Sequence, residues 1–178
     1  MSEPLIKIEH AGPSGMITFR ADLSDPGVSS ALAFSGLEVP ARRQVTSGGG
    51  PEVLWMSPDE LMILTSHGET DALIATLTEA MAGQHFLAVN VSDARVMFRL
   101  TGSDAHLREV LAKLSPADLR ATSLPQGEVR RTRLAQVPAA FWFPRDGEAM
   151  LIAFRSVGDY VEGLLKKVSE PGSAVGYF

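Results

Sequence analysis

Residues 53–64, Val-Leu-Trp-Met-Ser-Pro-Asp-Glu-Leu-Met-Ile-Leu, read as two short apolar strands joined by a polar corner. Pro58 presets φ for the first central position of a type I turn, and Ser57 can hydrogen-bond forward into that turn. Two interpretations of the corner stay open. Trp55 beside the acidic pair Asp59-Glu60 either lines a ligand pocket or forms the wall of an apolar core.

Strand and helix signals alternate on both sides of this stretch. Met16–Arg20 predicts the first strand, and Asp25 followed by Pro26 predicts a helix that ends near Phe34. Apolar spacing predicts further helices over 70–82, from Ser103 and from Ser156, with Ser156 as the cap of the last helix and strands between the helices. Pro144-Arg145-Asp146-Gly147 predicts a hairpin turn between the last two strands. This order predicts an α+β fold, with helices on one face of mainly antiparallel sheets arranged as two ferredoxin-like split β-α-β units.

The length of 178 residues predicts a single domain, residues 1–178. We expect two similar α+β halves, roughly 1–85 and 86–170, followed by a C-terminal tail, 171–178. The glycines and proline of Ser47–Pro51 predict a loop.

Composition and charge narrow the class of protein. An apolar fraction of 45% is that of a globular chain, and the absence of cysteine excludes thiolate nucleophiles and cysteine-ligated metals. The net charge of −5 argues against nucleic acid as the main partner. No apolar run approaches the ~18 residues of a membrane span and the N-terminus lacks signal-peptide features, so we expect a cytoplasmic protein with no membrane partner.

One basic run, Arg130-Arg131-Thr132-Arg133, stands out in a probable strand. It is typical of a solvated strand edge protected by charge, and a contact with an anion or a partner is the alternative.

Catalytic fingerprints are absent from the sequence. The four histidines are scattered, and no nucleophile elbow, Rossmann or Walker pattern occurs. We therefore predict no catalytic residue and no metal ligand. A second polar corner, Asn90–Arg95, also lies between apolar strands, and we interpret it as a hydrogen-bonded turn that fastens them. If the chain binds a cofactor, the candidate pocket is Trp55, Asp59 and Asp93.

Taken in order, these corners resemble a known family. Leu54-Trp55-Met56-Ser57-Pro58-Asp59-Glu60 is similar to the Leu-Trp-x-x-Pro-Asp-Glu motif of the gamma subunit of heterotetrameric sarcosine oxidase. Further matches, which extend the resemblance over about Val53 to Val168, are Val89–Asp93, Leu100-Thr101-Gly102 with Ala105, Asp118-Leu119, Thr132, and Arg155-Ser156 with Tyr160.

The resemblance carries several implications. It implies a fold like the folate-binding domain of the glycine-cleavage aminomethyltransferase. It implies a non-catalytic gamma subunit of a sarcosine oxidase, an oxidoreductase complex of sarcosine catabolism and one-carbon metabolism that oxidatively demethylates sarcosine to glycine. FAD, FMN, NAD and tetrahydrofolate are then expected in the larger partner subunits and no cofactor in this chain.

Two features separate this chain from independent folate enzymes. Asn90 stands where the family commonly has Asp, and the chain is too short for the C-terminal barrel that closes the folate site in aminomethyltransferases. The alternative function is a stand-alone folate- or pterin-binding protein of one-carbon metabolism. A homo-oligomer of the isolated chain also stays open.

Overall fold

The structure, a computed structural model, describes residues 3–46 and 50–178. Residues 47–49 of the predicted glycine loop lie outside the described residues. The strands are β1 (Ile6–His10), β2 (Ser14–Ala21), β3 (Val45–Thr46), β4 (Glu52–Ser57), β5 (Glu60–Ser66), β6 (Phe86–Asn90), β7 (Arg95–Gly102), β8 (Val129–Leu134), β9 (Val137–Arg145) and β10 (Glu148–Phe154). The helices are α1 (Pro26–Phe34), α2 (Thr70–Ala80), α3 (Asp104–Leu114) and α4 (Gly158–Val168).

Local chemistry starts two of the helices where the sequence predicts. The Asp25 carboxylate accepts the N–H of Gly27 at 2.7 Å, and the Ser103 hydroxyl accepts the N–H of His106 at 3.2 Å. Each bond satisfies an amide that has no partner inside its helix. The predicted cap at Ser156 is wrong. That residue lies in a 3-10 turn, Arg155–Val157, and α4 begins after it without a side-chain cap.

The chain divides into two compact units, each with its own sheet and core. A central unit comprises Pro13–Asp93, and a terminal unit combines the residues up to Gly12 with Ala94–Phe178. This grouping differs from halves that meet near residue 85, because β1 pairs antiparallel with β7, from Ile6 opposite Gly102 to His10 opposite Phe98. No sequence pattern predicted β1. Organisation as a single domain stays a prediction.

The terminal unit is a five-stranded antiparallel sheet in the order β1-β7-β10-β9-β8, with α3 and α4 packed against it. Strands β9 and β10 are its most deeply buried pair, joined by the two-residue turn Asp146-Gly147. Gly147 has φ +74°, which the turn predicted from Pro144–Gly147 requires. Large core side chains that share this layer are Phe98, Leu100, Leu107, Leu111, Phe141, Phe143, Leu151 and Leu165.

A buried carboxylate on α3 holds the C-terminal tail of the terminal unit. Glu109, 5% exposed, accepts the backbone N–H groups of Val175 and Gly176, the second at 2.8 Å. One helical turn after Glu109 on α3, the Lys113 ammonium donates to the carbonyls of Val168 and Ser173 at 3.1 and 2.7 Å. The N–H of Val175 and, less strongly, that of Gly176 hold the pKa of Glu109 below its ordinary value of 4.5, against the opposing effect of burial.

The central unit is a second five-stranded antiparallel sheet, in the order β3-β4-β5-β2-β6. Helices α1 and α2 contact each other, and α2 packs against β2 and β6. The buried side chains of this core include Ile17, Phe19, Val28, Leu32, Val53, Leu61, Ile63, Leu77 and Met81. Two antiparallel sheets, each packed against helices, confirm the predicted α+β class.

The hydroxyl of Ser92 fastens β6 to β2 in the central unit. It accepts the buried N–H of Met16 at 2.9 Å and donates to the Asn90 side-chain oxygen at 2.6 Å. The Asn90 amide donates in turn to Asp71 on α2 at 3.0 Å. The Asn90–Arg95 corner is therefore a hydrogen-bonded turn, as predicted, but it does not fasten the two strands that it connects, because β6 and β7 lie in different sheets.

The described helices include none with both the length and the apolar character required to cross a bilayer.

Replacing Ser92 by Ala leaves the N–H of Met16 buried without its acceptor. We expect a loss of about 1–3 kcal/mol in the free energy of unfolding, measured by urea denaturation. Ser57→Ala is the matched control, because that hydroxyl serves an exposed carboxylate, and it should change stability by less than about 0.5 kcal/mol. Equal losses in the two variants would contradict the fastening role of Ser92.

The attachment of the tail to Glu109 should depend on pH. A carboxyl whose pKa is lower in the folded state stabilises that state fully above its ordinary value of 4.5, and the contribution is lost as the pH falls through the lower folded pKa. Hydrogen exchange should therefore find the amides of Val175 and Gly176 protected at pH 7 and unprotected in strong acid.

Glu109→Gln should remove most of this protection at pH 7, because a neutral amide is a weaker acceptor than a carboxylate. Glu170→Gln is the control, since that exposed carboxylate pairs with Lys167 outside the tail attachment. Undiminished protection of both amides in Glu109→Gln would show that the tail is held in another way.

Candidate functional site

The acidic corner between β4 and β5 is a network of three side chains, in which Arg20 and Asp59 are exposed and Ser57 is half-buried. The Ser57 hydroxyl donates to one oxygen of the Asp59 carboxylate at 2.6 Å, and the guanidinium of Arg20 on β2 donates to the other at 2.5 Å. The main-chain oxygen of Asp59 accepts the N–H of Ala21 at 3.2 Å. The corner is therefore tied to the end of β2 through both its side chain and its backbone.

These bonds keep Asp59 ionised. The Ser57 hydroxyl, followed by the Arg20 guanidinium, lowers the pKa of Asp59 from its ordinary value of 3.8. A general acid or base that works near neutral pH needs its pKa raised toward 7 instead. With both oxygens occupied and its side chain exposed, Asp59 fits a stabilised turn better than a reacting carboxyl.

Trp55 lies on the face of the sheet that carries the helices. It pairs with Leu61 on β5, a fully buried core residue, and packs half-buried against the core of the central unit. Its neighbour Leu54 points to the opposite face, where it is completely buried. Of the two interpretations of Trp55, the wall of the core agrees with this placement.

Asp93 lies at the other end of β2 from Asp59. Asp59 bonds to Ala21, the last residue of β2, whereas Ser92, next to Asp93, bonds to Met16 near its beginning. Five residues of strand separate these points by roughly 17 Å. Trp55, Asp59 and Asp93 are therefore not brought together, and Asp59 lies beside the guanidinium of Arg20.

A third carboxylate, Asp118, is also committed to local structure. It binds the Arg120 guanidinium at 2.5–3.0 Å and the Ser123 hydroxyl at 2.7 Å, within the loop between α3 and β8. The Arg120 side chain above all, then Ser123, holds the pKa of Asp118 far below its usual range. Arg95, which follows the Asn90–Asp93 corner, stacks its guanidinium on the Phe154 ring at 3.8 Å.

The described residues contain no group of three or more histidine, aspartate or glutamate side chains arranged to hold a metal ion. Sequence reasoning missed two features that the structure reveals. The buried carboxylate of Glu109 carries no sequence signal, because its partners are backbone amides more than sixty positions away. The edge position of strand β6 carries no signal either, because five consecutive residues without charge or proline are equally typical of a buried strand.

Comparison with protein families gives one model that covers most of the chain. Residues 20–170 match the sarcosine oxidase, gamma subunit family. Two relatives are each called sarcosine oxidase subunit gamma. The one from Corynebacterium sp. (strain U-96) is 29% identical over 148 residues, 82% of this chain and 69% of that protein. The one from Arthrobacter sp is 30% identical over 131 residues, 72% of this chain and 62% of that protein. The chain thus spans about two thirds of their length.

Solved structures share the fold. A chain of the heterotetrameric sarcosine oxidase from Corynebacterium sp. U-96, in complex with pyrrole 2-carboxylate, has a TM-score of 0.84 at 24% identity, over 95% of this chain and 86% of that one. The glycine cleavage system aminomethyltransferase T from Bartonella henselae has a TM-score of 0.67 at 13% identity, over 92% of this chain and 46% of that one. The predicted resemblance to an aminomethyltransferase fold is confirmed.

The family model extends from β2 to the end of α4 and includes the corner at Asp59, the corner at Ser92 and the loop at Asp118. These positions are the ones on which the sequence resemblance rests, and the chain belongs to the sarcosine oxidase gamma subunit family.

Proposed function

We propose that this chain is the non-catalytic gamma subunit of a heterotetrameric sarcosine oxidase. The observation that carries the proposal is the family match over residues 20–170. The fold shared with a chain of the Corynebacterium enzyme supports it. The larger partner subunits bind FAD, FMN, NAD and tetrahydrofolate, and they oxidatively demethylate sarcosine to glycine.

The geometry of the polar corners agrees with a subunit that contributes surface to the assembly. Asp59 is occupied by Ser57 and Arg20, and Asp118 by Arg120 and Ser123. Both carboxylates have lowered pKa values, so each is stabilised as an anion within a turn. Such groups shape loops and do not exchange protons with a substrate near neutral pH.

The test of the proposal is co-expression of this chain with the larger subunits encoded in the same genome. We expect affinity purification of a larger subunit to retain this chain in fixed stoichiometry, in a complex with flavin absorbance and sarcosine-dependent peroxide formation. Omitting this chain should lower the yield of active complex. A fully active flavoprotein that forms equally well without this chain and never retains it would disprove the proposal.

The alternative, stand-alone folate binding at Trp55, predicts saturable quenching of tryptophan fluorescence by tetrahydrofolate. We expect no saturable response up to millimolar ligand, because Trp55 faces the core and Asp59 and Asp93 lie apart. Trp55→Phe serves as the control and leaves the signal of the buried Trp142. Micromolar quenching in the wild type that disappears in Trp55→Phe would instead establish folate binding.

A further inference from the structure

The two sheets end in four edge strands among the described residues: β1 and β8 in the terminal unit, β3 and β6 in the central unit. An edge strand exposes backbone N–H and C=O groups that can pair with another chain. Soluble proteins protect such edges with charge, proline, bulges or short length.

Three of the four edges carry such protection. Strand β8 bears the exposed arginines Arg131 and Arg133, in agreement with the protected edge predicted for that run. Strand β1 bears Lys7 and Glu9, paired at 2.8 Å. Strand β3 is only two residues long.

Strand β6 has none of these devices. Its sequence, Phe-Leu-Ala-Val-Asn, contains no charged residue and no proline. Leu87 and Val89 lie on the same face, 49% and 40% exposed, while Phe86 and Ala88 turn toward the core. The strand therefore combines an unprotected edge with an exposed apolar pair.

The register of β6 against β2 gives the direction of its backbone groups. The N–H of Val91 donates to the carbonyl of Met16 at 2.8 Å, and the pairing continues in register to Ala21 opposite Phe86. Because hydrogen-bonded pairs alternate in an antiparallel ladder, Val89 and Leu87 bond inward to β2. The N–H and C=O groups that point away from β2, toward the free edge of the sheet, are then those of Phe86, Ala88 and Asn90.

The net charge of the central unit indicates which kind of segment would pair with the free edge of β6. From Pro13 to Asp93 the sequence has three Lys or Arg residues against ten Asp or Glu, a formal net charge of −7. Two of these carboxylates flank β6: Asp71 binds Asn90 at one end, and Asp22 follows Ala21, the partner of Phe86, at the other. A segment with an apolar centre and basic ends complements both features.

We propose that β6 is the docking edge for a larger subunit of the oxidase. An extended segment of that subunit adds to the sheet as a sixth strand beside β6. Its apolar side chains cover Leu87 and Val89, and Lys or Arg residues at its ends meet the flanking carboxylates. This inference rests on the proposed function and identifies the surface that serves it.

The test uses the co-expressed complex and the same affinity purification through a larger subunit. Leu87→Lys with Val89→Lys places two cations on the exposed face without disturbing the core. Ala88→Pro removes the backbone N–H of residue 88, which points away from β2, and an edge strand tolerates this loss. Ala88→Ser is the matched control, because it changes the same side chain and keeps that N–H. Phe34→Lys is the control for the charge change, because Phe34 is 76% exposed on α1 in the same unit.

We expect the double lysine variant and Ala88→Pro to be retained at least tenfold less than wild type, and both controls to be retained as wild type. Circular dichroism and thermal unfolding of each isolated variant identify any that fails to fold. If Ala88→Pro unfolds, the lysine variant decides alone.

Four results would overturn the inference. Wild-type retention of the double lysine variant would exclude β6 while leaving the proposed function intact. Equal loss in Phe34→Lys would show a general effect of added charge. A dimer of the isolated chain that dissociates in the double lysine variant, with retention by the larger subunit unchanged, would assign β6 to a second copy. Failure of the wild-type chain itself to be retained would disprove the proposed function, and the docking edge with it.

Discussion

The pairing of β2 with both β5 and β6 is the constraint that places the two polar corners of the central unit. Because β2 lies between these strands, the Asp59 corner attaches to its end and the Ser92 corner to its beginning. Each corner satisfies backbone amides of the same strand, which would otherwise be left without partners. The length of β2 between these two attachment points explains why the corners act as fasteners and do not converge on a common ligand.

A fold shared with an enzyme can thus keep its framework while its polar groups serve structure. The chain shares its fold with an aminomethyltransferase. In this chain, however, Asp59 forms an ion pair with Arg20, and Asn90 is hydrogen-bonded to Asp71. Among the described residues of the central unit, the exposed large apolar side chains are Leu87 and Val89 on the edge strand β6 and Phe34. Surfaces of this kind suit association between subunits, where apolar area and backbone pairing provide the free energy.

The sequence correctly predicted the features that are determined by residues close together in the chain. Asp25 before Pro26 set the start of α1, and Asp146-Gly147 set the turn between β9 and β10, because neighbouring atoms decide both. No sequence pattern predicted β1, a five-residue strand whose partner, β7, lies some ninety positions away. The candidate pocket grouped Asp59 with Asp93 for the same reason, since their separation follows from the sheet order, which a linear pattern does not contain.

The pairing of β1 with β7 gives this chain an order of assembly during synthesis. The central unit, Pro13–Asp93, is continuous in sequence and can fold as soon as it leaves the ribosome. Strand β1 emerges first but has no partner until Arg95–Gly102 has been made, so it stays unpaired while the central unit forms. The nascent chain therefore completes its terminal unit last, after the whole central unit has been synthesised.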